Sequence, residues 1–349
     1  MQVAVSLLGE FKEICEANGD ELFVLASETF EKYARELGIK YKLFKYPPSS
    51  FKHYWKVCKK LDRAAAEFNP DIVFTTFGPS YWTPKYPHLM GFGLGHLVYP
   101  DSPFWKMLSL KKCWIASLKM RYRKWYCRKN ARYFWCETED VRQRMGRFLG
   151  IPLKDIIVAG NTYNSFFNKF KDGEIHSVER KDKEFRLLSL GNSGPHKNLS
   201  LIKKVTHHLG ICKVRFFVTQ TAEEYKNMFF GCESYVENLG ILPPEKCPDA
   251  YLQCDALFAP TVMECFTANY PEAMIMQRPI LTSDLSFARG LCGDAALYFD
   301  PLSGESAAKA IIQLITNKEL YAFLQKRGLE KVKTFFQHLK SVQRLFIIG

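Results

Sequence analysis

Glu264 and Glu272 stand with seven residues between them in FAPTVMECFTANYPEAMIMQRP (258–279), where an apolar run ends at Pro260 and a helix-like segment follows. Carboxylates accept paired hydrogen bonds, and N–H groups at a helix entrance face anions. The stretch therefore suits a ligand carrying both hydroxyl groups and phosphate. The plain alternatives are a capping carboxylate at Glu264 and a first-turn residue favoured by the helix dipole at Glu272.

A second constellation is GNSGPHKNLSLIKKVTHHLG (191–210), a glycine-containing loop between a strand-like run and a helix-like one. Such a loop brings backbone N–H groups close to a phosphate, and Lys197 adds a cation. It matches neither the Walker A pattern nor GxGxxG, and taken alone Lys197 reads as a solvated lysine. His88 and His96 lie in a loop-rich stretch, 76–105. His96 is the candidate for a hydrogen bond to a sugar hydroxyl or phosphate; His88 reads as a histidine satisfied by backbone groups.

Residues 104–135 hold ten Lys/Arg, no Asp/Glu and four of the six tryptophans. Basic residues interleaved with aromatics suit an anionic membrane surface, whose attraction is about 1 kcal/mol per Lys/Arg. No nucleic-acid-binding motif accompanies them, so nucleic acid is not the expected partner. A helix with one face in the core and one basic face in solvent is the plain alternative. The wider charge distribution agrees: residues 1–170 hold 27 Lys/Arg against 16 Asp/Glu, and 171–349 hold 22 against 20. Anionic surfaces are thus met mostly by the first half. Eleven scattered cysteines without a CxxC pair point to reduced thiols and a cytoplasmic protein, and no apolar run approaches the roughly 20 residues needed to span a bilayer.

These residues need strands and helices to position them. Helix-like segments at 2–17, 29–37, 51–68 and 139–149 alternate with strand-like runs at 22–27, 39–46, 71–76, 133–138 and 156 onward. The segment 171–184 is charged and nearly free of apolar residues, and reads as a linker. Strand-like runs resume at 185–191, 214–219, 237–242, 255–260 and 279–284, with helices at 248–254 and 305–316 and a helical tail at 319–347. Helix and strand in alternation give doubly wound α/β in both halves. An α/β domain ordinarily opens on a strand, whereas this chain opens on a helix, so a first strand is expected to be missing.

In this order, PHKNLSLI (195–202), the Glu264/Glu272 pair, PILTSD (279–284), GDAALYFDP (293–301) and NTYNSFF (161–167) resemble the family 4 retaining glycosyltransferases of GT-B fold. The resemblance covers essentially the whole chain. It implies two Rossmann-like domains facing a cleft: an acceptor-binding domain (1–170) and a nucleotide-sugar-binding domain (185–329), with a last helix (about 330–349) packing back on the first. Glu272 is expected on the ribose hydroxyls and Glu264 on the transferred sugar. The N–H groups of Phe266, Thr267 and Ala268, with the loop residues Gly191, Asn192 and Ser193, are expected at the diphosphate. Lys197 would neutralise the leaving phosphate, and His96 would lie near the donor sugar. The donor would be a UDP- or GDP-sugar, with no metal or other cofactor, in keeping with the lack of a DxD motif. The acceptor would be a glycan or polyprenyl-linked glycan of surface-polysaccharide synthesis, met at the cytoplasmic face of a membrane. Departures from the family pattern are Thr267 in place of glycine, and Asn192 and Ser193 where an arginine often stands. A nucleotide-sugar epimerase and an inactive binding subunit of the same fold are the alternatives.

Overall fold

Short runs rich in Val, Ile, Leu and Phe become strands because continuous apolar, β-branched and aromatic sequence fits a sheet covered on both faces. The computed structural model describes residues 2–170 and 184–339. The first half holds β1 (Phe23–Ser27), β2 (Lys40–Phe44), β3 (Val73–Thr75), β4 (His88–Gly91), β5 (Tyr133–Cys136) and β6 (Ile156–Val158). The second holds β7 (Phe185–Ser189), β8 (Val214–Val218), β9 (Val236–Asn238), β10 (Ala256–Ala259), β11 (Ile280–Ser283) and β12 (Ala296–Phe299). Among the described residues every strand pairing is parallel. The architecture is α/β, as expected.

The second half forms one six-stranded sheet in the order β12-β11-β10-β7-β8-β9. Its direction of winding reverses between β7 and β10, where Leu187 lies against Ala256 and Leu188 against Leu257. In open parallel sheets that reversal leaves a crevice at the carboxyl ends of the two strands, where ligands bind.

The first half differs from a single continuous sheet. It holds a β1-β2 pair and a separate sheet in the order β3-β4-β5-β6, and no strand among the described residues bridges them. The chain opens on the helix Gln2–Asn18, whose Leu7 and Phe11 pack with Leu89 of β4 and Trp135 of β5. The run at 71–76 makes only the short β3, half-buried because it lies at the edge of its sheet. β4 lies inside the stretch expected to be loop. Its four residues carry a histidine and a glycine, and burial between β3 and β5, not propensity, makes them a strand.

Both halves share one apolar core. Met90, Phe134 and Met145 belong to the same cluster as Leu188, Val262, Met263 and Tyr270. Ser102 donates to the Val262 carbonyl at 2.6 Å, and Arg144 donates to Ser286 at 3.0 Å. The expected linker at 171–184 lies, except for Glu184, outside the described residues. The helix Lys318–Leu339 packs on the helix Asn269–Ile275, and its Val332 and Phe335 join the shared core. Residues 340–349, part of the segment expected to pack back on the first domain, are also outside the described residues.

Candidate functional site

At the switch point the loop after β7 meets the loop after β10. Asn198 holds them together: left-handed at φ 53°, it donates to the carbonyls of Pro260 at 3.2 Å and Pro301 at 2.8 Å. The His196 carbonyl accepts from Val262 N–H at 2.8 Å, and the Asn269 side chain reaches the Leu190 carbonyl at 2.9 Å. Gly191 takes a φ of +138°, which side-chain-bearing residues rarely adopt, and its N–H and carbonyl are held by Thr219 and Gln220. The loop's shape is set by hydrogen bonds before any ligand arrives.

Within this frame Lys197 and Glu264 form an ion pair, both side chains largely removed from solvent. Glu272 lies in the first turn of Asn269–Ile275, facing Tyr251, whose hydroxyl donates to it at 3.3 Å and to the Asn269 carbonyl at 3.1 Å. Burial pushes the Glu272 carboxyl up to about 7, and the Tyr251 hydrogen bond opposes this. A carboxylate so placed has hydrogen-bonding capacity for a vicinal diol. Among the described residues, no hydrogen bond within the protein uses the N–H groups of Phe266, Thr267 or Ala268, which precede this helix.

The remaining loop residues divide. The Asn192 side chain accepts from Gly194 N–H at 3.0 Å and shapes the turn. Ser193 donates to Glu224 and so joins the capping box of the helix Ala222–Phe229. His96 rests edge-on against Phe104 and Trp105, with ring centroids 5.2 and 5.9 Å away. Its imidazolium is disfavoured by burial first, then by His196 and Arg123. His196 is likewise lowered, by burial above all, with Glu264 opposing. The effect of His196 on His96 shows that His96, in the first half, lies within electrostatic reach of the loop that carries Lys197. His88 is a core residue: buried, with Thr75 at 2.8 Å and the Asn130 carbonyl at 2.7 Å.

Reasoning from the sequence passed over His196, Asn161 and Glu137. The first two lie inside motifs quoted for other residues. Glu137 directly follows β5, and an acid at the carboxyl end of a YFWC strand is the signal that would have found it. It is buried, accepts from Asn161 at 2.8 Å, and is pushed up to about 7 by burial, with Glu264 adding to the rise. A cavity of about 630 Å³ lined by His88, Arg128 and Arg132 lies at the opposite, amino ends of β4 and β5.

The helix Leu110–Asn130 buries only Cys127 and Asn130. Leu110 is 90% exposed, Trp114 66%, and Leu118, Tyr122 and Trp125 about half. The plain alternative holds in part: Cys113, Ala116, Met120 and Cys127 form a narrow inward face, with Met120 against the core, while the larger aromatic and aliphatic residues face outward beside the cations. Among the described residues no helix is long and apolar enough to cross a membrane.

A parallel α/β fold with a ligand crevice at its switch point is what GT-B glycosyltransferase structures have. The comparisons agree in fold. A glycosyltransferase from Rickettsia africae ESF-5 superposes with a TM-score of 0.69 at 14% identity, covering 97% of this chain and 93% of that one. HepE from Anabaena, solved in complex with UDP and glucose, superposes with a TM-score of 0.66 at 13% identity, covering 97% and 95%. Residues 171–331 match the family described as glycosyl transferases group 1. The O-antigen chain mannosyltransferase B of Escherichia coli is 27% identical over 103 residues, 30% of this chain and only 27% of that protein.

Proposed function

We propose that this protein is a retaining glycosyltransferase that moves a sugar from a nucleotide-diphosphate sugar to a glycan or lipid-linked acceptor in polysaccharide synthesis. The observation that carries the reading is the convergence, at one switch point, of Lys197, Glu264 and the buried Glu272, within the segment that matches glycosyl transferases group 1. UDP or GDP is the donor nucleotide, and the UDP seen in HepE favours UDP. Glu272 holds the ribose diol. The N–H groups of 266–268, with Gly191 and its neighbours, face the diphosphate. Lys197, exchanging its partner Glu264 for phosphate, stabilises the leaving group, and Glu264 turns to the transferred sugar. This assignment needs no metal. The C–O bond to phosphate breaks with its electron pair going to the phosphate oxygen, the acceptor oxygen bonds to the same face, and the acceptor proton passes to that phosphate. His96, held neutral, lies beside the sugar.

The exposed cationic and aromatic face of Leu110–Asn130 supports a peripheral position on an anionic, cytoplasmic membrane face, where a lipid-linked acceptor would be met. Thermal-shift titration with UDP, GDP and their sugars tests the donor assignment. One nucleotide diphosphate should raise the melting temperature in a saturable way through binding to the folded state, and no response to any of them removes it.

A further inference from the structure

Among the described residues Glu137 has no cation paired with it. It sits at the carboxyl end of β5, 8% exposed, with one oxygen accepting from Asn161 at 2.8 Å. Among the described residues Asn161 is its sole hydrogen-bond partner, and the hydroxyl of the adjacent Thr162 is buried without one. Its neighbour Cys136 and the Glu264 neighbour Cys265 share one buried cluster, which brings a second carboxylate within repulsive range of Glu137. The nearby lysine, Lys197, is committed to Glu264, and the histidines of the cleft are held towards their neutral forms. A buried acid opposite another acid, half satisfied by a neutral amide, is a costly arrangement for a purely structural residue. A ligand hydroxyl would complete it.

We infer that Glu137, aligned by Asn161, binds a hydroxyl of the acceptor from the first half of the protein, opposite the donor sugar held by the second half. The position follows from the topology: Glu137 ends a strand of one sheet, and the Glu264 loop follows a strand of the other, so a group between them touches both halves. Burial, with Glu264 adding, raises the Glu137 carboxyl, and the Asn161 hydrogen bond only partly opposes this. This assignment rests on the glycosyltransferase reading and adds to it a residue for the acceptor.

The test compares wild type, Glu137→Gln and Glu137→Ala as full chains. UDP affinity is measured first, then transfer from UDP-glucose or the nucleotide sugar that binds, to a panel of methyl glycosides and lipid-linked glycans. The expected result is an acceptor KM raised tenfold or more in Glu137→Ala and less in Glu137→Gln, which keeps a hydrogen-bonding oxygen, with UDP affinity within twofold of wild type in both. An unchanged acceptor KM overturns the inference, as does a fall in UDP affinity parallel to the loss of transfer. Wild-type protein that binds UDP and transfers to none of the hydroxyls offered overturns the Glu137 assignment and leaves the donor site standing. Wild-type protein that binds no nucleotide overturns the functional reading itself.

Discussion

Replacing Glu272 by glutamine should make the folded protein more stable at pH 8 while weakening its hold on nucleotide. Burial raises the Glu272 carboxyl from 4.5 to about 7 in the folded protein. The folded state therefore keeps its proton over a range in which the unfolded chain has lost it. Stability attributable to this group is intact below about pH 4.5, falls as pH rises, and is fully lost above about 7. At about 1.4 kcal/mol per pKa unit, the interval corresponds to about 3 kcal/mol. Glutamine keeps an oxygen for the Tyr251 hydroxyl and has no charge to bury, so it escapes this cost. Urea unfolding of both proteins at pH 5 and pH 8 measures the effect. The advantage of the variant should grow by about 2 to 3 kcal/mol between the two. Glu137 contributes a similar slope to both proteins and cancels in the difference. UDP affinity should fall about tenfold or more, the scale expected for lost hydrogen bonds to a charged group. A stability difference independent of pH would refute the buried-anion account, and unchanged UDP affinity would remove Glu272 from the ribose.

Lys197→Met should cost about 2 kcal/mol of stability, because Glu264 is left in a largely buried position without its cation. It should also weaken UDP far more than uridine, and equal weakening of both by calorimetry would place Lys197 away from the phosphates. Neutralising Lys111, Lys112, Lys119 and Arg121 on the outward-facing helix should reduce binding to phosphatidylglycerol vesicles at least tenfold and leave binding to phosphatidylcholine vesicles unchanged, with UDP affinity preserved. Equal sedimentation of wild type and variant with anionic vesicles would end the membrane assignment.

The meeting of Lys197, Glu264 and Glu272 at one switch point was largely legible in the sequence because its parts are local. Each comes from the residues just after an apolar strand, and in a parallel sheet the carboxyl ends all face one way, so the loops after β7 and β10 must meet once those strands are neighbours. Lys197, Glu264 and Glu272 follow from that, as does the alternation of strands and helices in both halves. Even there, composition did not settle direction: Ser193 stands in the loop with its hydroxyl turned to Glu224, because a helix entrance competes for the same oxygen.

What the sequence determined by itself is the α/β pattern, the acid pair with its lysine, and the basic aromatic segment, all features of residues near one another along the chain. Tertiary structure decided the rest. It made a strand of β4 by burying it between neighbours, split the first half into two sheets, and left Leu110, Trp114, Leu118 and Trp125 of the helix Leu110–Asn130 exposed. It also brought Glu137 within electrostatic reach of Glu264, and His96 within reach of His196. Those pairings join two halves remote in sequence, and no periodicity or spacing encodes them: they exist because one apolar core, running from Met90 and Phe134 to Val262 and Tyr270, packs the halves together and desolvates what lies between.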